Sequence, residues 1–117
     1  MNNSYIRLYS ETHRLNEYKS IIQNTPDKFP IICLMDGSIK EYYKLLMSGN
    51  QTIMHILNII RRRTLLKPEE ALMCFTTNNK VQSPTKIISK VYSVHKNTDG
   101  FLYLIFCKEN CFGRGKK

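Results

Sequence analysis

Apolar residues near the start of the chain recur with the spacing of a helix. They stand three and four positions apart, which is typical of one buried helix face. Ser10 or Thr12 is a candidate N-cap, and Pro26 is expected to end the helix. The first 25 residues are therefore predicted to be helical. The apolar positions are Leu15, Tyr18, Ile21 and Ile22.

Two apolar runs then predict a β-hairpin. Residues 30–35 form a fully apolar strand pattern, residues 36–38 (Asp-Gly-Ser) are a turn signal, and residues 42–47 form a second strand pattern. We expect these two strands to pair with each other. Further along, residues 72–77 predict a third strand and residues 78–79 (Asn-Asn) predict a turn.

A second helix is predicted between the hairpin and the third strand. Thr52 is a candidate N-cap, and the apolar residues after it follow the i, i+3, i+4, i+7 pattern of an amphipathic helix. Residues 61–63 (Arg-Arg-Arg) fall in its last turn, where positive charge complements the helix dipole. Residues 67–70 are predicted to form one helical turn, since a proline is followed by two acidic residues. The apolar positions are Ile53, Ile56, Leu57 and Ile60.

The next segment predicts one more helix. Ser83 and Pro84 are expected to cap and start it, and His95 is expected to end it before the turn at residues 97–100. Its apolar residues are Ile87, Ile88, Val91 and Tyr92.

The final strand pattern, residues 101–107, is apolar on both faces. Odd-numbered and even-numbered side chains of a strand point to opposite sides, so both faces should be covered. We expect the helix at 53–63 to cover one face and the N-terminal segment to cover the other. Two strands, a helix, a strand, a short helix and a last strand is the order of an α+β, ubiquitin-like β-grasp domain with a mixed four-stranded sheet.

Composition indicates one globular domain and no obvious membrane segment. The chain has 117 residues and is 42% hydrophobic, which suits one domain with a real core. No run of about 18 apolar residues predicts a transmembrane helix. We expect no secretory signal, because residues 1–4 lack a basic region followed by an apolar stretch. We also expect no myristoylation, because Asn2 stands where it requires glycine. The net charge of +9 favours nucleic acid, anionic lipid or acidic peptides without choosing among them.

The four cysteines indicate no metal or catalytic site. Cys33 and Cys74 lie in apolar runs and are expected to be buried free thiols. Cys107 and Cys111 lack the further ligands of a zinc site. The sequence contains no local signature of a catalytic Cys-His pair. It also contains no glycine-rich loop with the spacing of a known phosphate-binding motif. We therefore expect a reduced cytosolic chain without enzymatic activity, metal or other cofactor.

Several short segments, in their order and spacing, resemble one known family. They run Pro-Asp-Lys-Phe-Pro-Ile-Ile (26–32), Ile-Ile-Arg-Arg-Arg (59–63), Glu-Ala-Leu (70–72), Asp-Gly-Phe-Leu-Tyr (99–103) and Glu-Asn-x-Phe-Gly (109–113). Together they resemble the autophagy-related protein 8 family of ubiquitin-like modifiers over almost the whole chain. The resemblance implies two additional N-terminal helices in residues 1–25, a ubiquitin-like core in residues 26–107, and a flexible C-terminal tail in residues 108–117.

The resemblance also implies a chemistry for that tail. A dedicated cysteine protease would cut after Gly113, with Phe112 in the adjacent protease subsite. A ubiquitin-activating-type enzyme and a conjugating-type enzyme would then pass the Gly113 carboxylate to the amine of phosphatidylethanolamine. The cytoplasmic protein would thereby become attached to an autophagosome or related vesicle membrane. The removed residues would be Arg114, Gly115, Lys116 and Lys117.

A peptide groove is the second site that the resemblance implies. It would bind autophagy receptors through aromatic-x-x-aliphatic motifs, with Lys28 and Lys44 facing acidic residues that precede the aromatic. By pattern alone, the apolar groove residues are better explained as core, and the two lysines as ordinary solvated charges. The pocket for the aromatic side chain matches Glu17, Ile21, Pro30, Ile32, Lys44, Leu46 and Phe101. The pocket for the aliphatic side chain matches Leu45, Met47, Ile56, Ile59 and Arg63.

This chain departs from the family pattern around the groove. Ser48 replaces a usual proline, Gln51 a usual apolar residue, Ile56 a usual aromatic and Thr25 a usual tyrosine. The link between the first two strands is also about four residues shorter. These departures predict a more polar second pocket with altered peptide preference.

Two other functions remain open from the sequence. The chain is also consistent with a ubiquitin-like interaction domain that is never conjugated. The charge of +9 also suits a basic nucleic-acid-binding domain, although the aromatics lie mostly in strand patterns and no RNA-binding sheet motif is present.

Overall fold

The computed structural model describes residues 3–35 and 42–108, in which helices pack on both faces of a four-stranded sheet. The strand order is β2-β1-β4-β3, with β1 and β4 parallel and the two outer pairs antiparallel. This arrangement confirms the predicted β-grasp fold with two N-terminal helices. The elements are α1 Ser4–Leu8, α2 Glu11–Asn24, β1 Lys28–Met35, β2 Tyr42–Ser48, α3 Ile53–Thr64, β3 Leu72–Thr76, α4 Ile88–His95 and β4 Leu102–Lys108.

The two faces of β4 are covered as the alternation of its side chains predicts. Leu102, Leu104 and Phe106 pack in one cluster with the apolar faces of α3 and α4. On the other face, Phe101 and Tyr103 pack in a second cluster with Tyr5 of α1 and with Tyr18 and Ile21 of α2. The N-terminal helices therefore form one side of the core.

Both predicted N-caps that begin long helices are present. The Ser10 hydroxyl accepts a hydrogen bond from the His13 backbone N–H at 3.2 Å and caps α2. At α3, the Thr52 backbone N–H donates to His55 Nδ1 at 3.0 Å. α3 ends at Thr64, and Leu65 caps it in the left-handed conformation with φ 55°. Among the described residues, no helix is long and apolar enough to cross a bilayer.

Residues 67–70, predicted to form one helical turn, form a single hydrogen-bonded turn that is not part of any described helix. The Glu70 N–H donates to the Lys67 carbonyl at 3.0 Å, and the Lys67 N–H donates to Glu70 Oε1 at 2.9 Å. The Arg61 guanidinium donates to the carbonyls of both residues. The Lys67 and Glu70 carbonyls therefore accept hydrogen bonds from the Arg61 side chain of α3, and no further helical turn follows.

The predicted start of the last helix at Ser83 and Pro84 is also wrong, since α4 begins at Ile88. The carbonyls of Pro84 and Lys86 accept hydrogen bonds from the first N–H groups of α3, at 2.9 and 3.0 Å. In return, the Ile88 N–H donates to the Gln51 carbonyl at 2.8 Å. The Pro84 and Lys86 carbonyls thus satisfy free N–H groups at the start of α3, and α4 begins only after this segment.

A buried ion pair joins α2 to the segment before β4. Asp99 is fully buried, and its carboxylate accepts hydrogen bonds from Arg14 Nη1 at 2.5 Å, Tyr103 Oη at 2.5 Å and the Phe101 N–H at 3.0 Å. Burial opposes the charge of Arg14, but its hydrogen bonds to Asp99 and Tyr103 outweigh burial and raise the pKa of the guanidinium. The sequence indicated a turn at Asp99 and gave no sign of this pair.

Cys33 and Cys74 are buried free thiols, and Cys107 is buried as well. Burial raises the pKa of the Cys33 and Cys74 thiols, so both are inert at neutral pH. This confirms the prediction for those two residues. The predicted turn at 36–38, Cys111 and the whole segment from residue 109 to 117 lie outside the described residues.

Candidate functional site

The edge strand β2 presents the most accessible backbone near the predicted groove. β2 pairs with β1 on one side, and no other described strand lies on its far side. Lys44 and Leu46 are exposed, whereas Leu45 and Met47 point into the core beneath α3. An unpaired edge of this kind can accept an extended peptide as an additional strand.

A cavity of about 340 Å³ lies beside this edge, between α2 and β2. That volume falls in the range of small binding pockets. Six of the seven residues predicted for the aromatic pocket line it, and the seventh, Ile32, is fully buried in the cluster around Tyr5. The lining residues are Glu17, Ile21, Pro30, Lys44, Leu45, Leu46 and Phe101.

Glu17 is the centre of a polar network at the rim of this cavity. Its carboxylate accepts hydrogen bonds from the Tyr5 hydroxyl and from the Lys44 ammonium group. His13 Nε2 lies 3.9 Å from the same carboxylate. Lys44 therefore connects β2 to α2 across the cavity, and its partly exposed ammonium group is available to a second carboxylate.

Ser48 and Gln51, the polar residues that replace the usual family residues at the end of β2, form local hydrogen bonds. The Ser48 hydroxyl accepts a hydrogen bond from Lys28 Nζ at 2.9 Å. The Ser48 N–H donates to Gln51 Oε1 at 2.8 Å. Lys28 and Gln51 thus hold the chain as it leaves β2. The sequence showed both replacements but gave no sign that Ser48 and Gln51 bind each other.

The residues predicted for the aliphatic pocket lie together between β2 and α3, but most are inaccessible. Leu45, Met47 and Ile56 belong to the core, and Ile56 has no exposed surface. Ile59 is half-buried against the same cluster, and the Arg63 guanidinium lies 5.0 Å from the centre of the Tyr43 ring. On the α3 side the accessible part of this set is therefore Ile59 and Arg63, and Leu45 lines the cavity beside α2 instead.

Within residues 3–35 and 42–108, no group of three or more His, Cys, Asp or Glu side chains is placed to hold an ion. The predicted cleavage and conjugation residues, Phe112 and Gly113, lie outside the described residues.

Comparison with known proteins identifies the family. The family model described as "Autophagy protein Atg8 ubiquitin like" matches residues 13–113. Autophagy-related protein 8 of Schizosaccharomyces pombe is 33% identical over 110 residues, covering 90% of this chain and 89% of that protein. The protein of the same name from Coccidioides immitis is 34% identical over 105 residues, covering 86% and 88%. The crystal structure of Trypanosoma brucei ATG8 superimposes with a TM-score of 0.84 at 27% identity, covering 93% of this chain and 97% of that one. This chain therefore belongs to the autophagy-related protein 8 family of ubiquitin-like proteins.

Proposed function

We propose that this chain is a ubiquitin-like modifier of autophagy that is cleaved after Gly113 and joined through that residue to phosphatidylethanolamine. The family match ends at residue 113, and β4 ends at Lys108, five positions earlier. A terminal glycine has no Cβ, so it suits the narrow channels of a protease and of activating and conjugating enzymes.

Lipid attachment gives this proposal its physical consequence. Each buried methylene contributes about 0.8 kcal/mol, so one myristoyl chain anchors a protein only marginally and two acyl chains hold it firmly. A single amide bond would thus move the protein from the cytoplasm to an autophagosome or related vesicle membrane. There it would act as an adaptor for receptors, without catalysis of its own.

The cavity between α2 and β2 is the observation that carries the adaptor role. An aromatic side chain of a receptor peptide would enter it while the peptide backbone pairs with the free edge of β2. Acidic residues before the aromatic would meet Lys44, in exchange for its contact with Glu17. Two buried side chains contribute roughly 1.5–3 kcal/mol each, and with strand pairing we expect micromolar affinity, about −8 kcal/mol.

The geometry of a strand accounts for the spacing of the motif. Side chains of an extended peptide alternate between the faces of the sheet, so positions i and i+3 point to opposite faces. α2 lies on one face beside β2 and α3 on the other. An aliphatic side chain three residues after the aromatic would therefore approach Ile59 and Arg63. The aliphatic side chain would be buried more fully between β2 and α3 only if α3 moved away from β2, because Ile56 is inaccessible.

The modifier proposal is tested with Gly113→Ala, and Gly115→Ala serves as the matched control. We expect Gly113→Ala to block tail removal and membrane attachment, because a Cβ obstructs the enzymes at the reacting residue. Gly115→Ala lies beyond the cut and should be processed normally. Intact mass and flotation of the membrane fraction from the native cell measure both steps. Normal lipidation of Gly113→Ala would refute the proposal.

The groove is tested by calorimetric titration with an aromatic-x-x-aliphatic peptide. Leu46→Ser removes apolar surface from the cavity, and we expect affinity to fall about tenfold, or 1.4 kcal/mol. Met54→Ser is the control, because Leu46 and Met54 are both 46% exposed and only Leu46 lines the cavity. Equal losses for both variants would exclude the cavity as the binding site.

The alternative functions give different results in the same cells. A ubiquitin-like domain that is never conjugated would bind the peptide yet carry no lipid on Gly113. A nucleic-acid-binding domain would retain nucleic acid in a filter-binding titration, with affinity falling steeply as salt rises.

A further inference from the structure

A second cavity, of about 390 Å³, lies along α4 on the opposite face of the sheet from the groove. We call it the α4 pocket. It is lined on its apolar side by residues that include Ile87, Val91 and Val94. Val94 is 73% exposed and Ile87 is 37% exposed, so apolar surface at this pocket faces solvent. Exposed apolar surface next to a cavity is typical of a binding site.

The charged residues of the α4 pocket are all potential cations. Lys86, Lys90 and His95 line it, and no carboxylate does. Burial lowers the pKa of His95, and the positive charges of Lys86 and Lys80 lower it further. Within the described residues, the ion pairs involve other cations and leave Lys86 and Lys90 unused. This cluster of like charges is complementary to an anionic ligand.

A buried polar atom at the same pocket lacks a partner. Gln82 lines the pocket and is 4% exposed, and its Oε1 has no hydrogen-bond donor among the described residues. Its Nε2 donates to the Lys80 carbonyl at 3.2 Å. A buried acceptor without a donor is costly, so a donor from a bound molecule would stabilise it.

The α4 pocket reaches from α4 to the segment after β3. The Gln82 N–H donates to the Cys74 carbonyl at 2.9 Å, and Cys74 pairs with Phe106 of β4. Because the pocket is a concave cavity of about 390 Å³, it fits an inserted side chain better than a flat bilayer surface.

We propose that the α4 pocket is a second protein-docking site, which binds an acidic segment of a partner protein. An apolar side chain of the segment occupies the cavity against Ile87 and Val94. Its carboxylates bind Lys86 and Lys90, and a donor of the segment reaches Gln82. The site is separate from the peptide groove because the two lie on opposite faces of the sheet, so one molecule binds both partners at once.

The proposal is tested by NMR titration of the full chain, labelled with ¹⁵N. The probe is a capped dodecapeptide of Glu, Asp and Leu, and its control carries Gln and Asn in place of the acids. We expect the acidic probe to shift amide signals of residues 82–95, and the neutral peptide to shift none of them. Absence of shifts, or shifts confined to α2 and β2, would overturn the proposal.

Two exposed helical lysines provide a matched pair of variants for the same titration. Lys90→Glu should weaken binding of the acidic probe about tenfold. Lys19→Glu on α2 makes the same change in net charge and should leave the affinity nearly unchanged. Equal weakening by both variants would show a diffuse charge effect and would refute a site. Neither variant should alter binding of the aromatic-x-x-aliphatic peptide, which reports the groove independently.

Two further measurements separate the components of the proposal. Val94→Ser should also weaken binding of the probe. Because the Val94 side chain is highly exposed, this substitution should not unfold the protein. Gln82→Met keeps the side-chain length and removes the acceptor, so an unchanged affinity would exclude the hydrogen bond to Gln82. Vesicles containing phosphatidylserine test the other anionic partner. Vesicle binding that is lost in Lys90→Glu would overturn the protein-docking site in favour of a membrane contact.

Discussion

Single residues in this protein act through contacts that are distant in sequence. Gly100 is an example, because it has φ +95°, a conformation that residues with a Cβ rarely adopt. A Cβ built on Gly100 would come within 2.4–2.5 Å of the Tyr18 ring on α2. Its carbonyl also accepts a hydrogen bond from Tyr92 of α4. The sequence indicates a turn at this glycine but not the two helices that meet it.

Gly100→Ala is expected to destabilise the protein by about 2–3 kcal/mol, because it combines backbone strain with displacement of the Tyr18 ring. Chemical denaturation of Gly100→Ala and wild type measures the change. In a Tyr18→Ala background the contact with the ring is absent, so the cost of Gly100→Ala should be smaller. An unchanged cost would show that the ring is not an obstacle.

Elements are joined here by a few specific side-chain contacts besides apolar packing. Arg14 and Asp99 connect α2 to the start of β4 through a buried pair, whereas Lys44 and Glu17 connect β2 to α2 through a partly exposed one. The two pairs should differ in their effect on stability. Removing one member of a buried pair leaves an uncompensated charge away from water, which an exposed pair does not.

Arg14→Met is therefore expected to lower the free energy of unfolding by about 3–5 kcal/mol. Lys44→Met, which breaks the more exposed pair, should cost less than about 1 kcal/mol. Urea denaturation of both variants gives the comparison. Similar losses for the two would show that Asp99 is solvated or compensated by Tyr103 and the Phe101 N–H alone.

The whole molecule has two candidate binding faces and one proposed attachment end. The groove lies on the face covered by α2, the α4 pocket lies on the face covered by α3 and α4, and the tail leaves from the end of β4. Cleavage after Gly113 would also remove three positive charges from a chain with a net charge of +9. The proposed adaptor can therefore hold partners on both sides while its tail is fixed to a membrane.

Removal of residues 1–25 tests whether the N-terminal helices are part of the core. The deletion removes Tyr5 and Arg14, which exposes Phe101 and Tyr103 and leaves Asp99 without its cation. We expect the shortened chain to melt at a much lower temperature than the full chain and to self-associate. Calorimetry and light scattering measure both. A shortened chain that stays monomeric with an unchanged Tm would show an independent core.

Part of the candidate site was predictable and part was not. Lys44, Leu46 and Phe101 lie at the predicted pocket because strand alternation and family spacing place them on one face. Ile32 and Ile56 are in the core instead, as their apolar patterns also allowed. A pattern of apolar residues marks what is buried but does not distinguish a pocket wall from the interior behind it.

The chain's own pattern of polar and apolar residues determined the elements, the β-grasp order and the need to cover both faces of β4. These follow from local periodicity and capping, which each segment carries within itself. Tertiary structure alone decided the Arg14–Asp99 pair, the late start of α4, the contact between Lys44 and Glu17 and the α4 pocket. Each depends on groups far apart in sequence, whose partners are set only when the sheet and helices pack together.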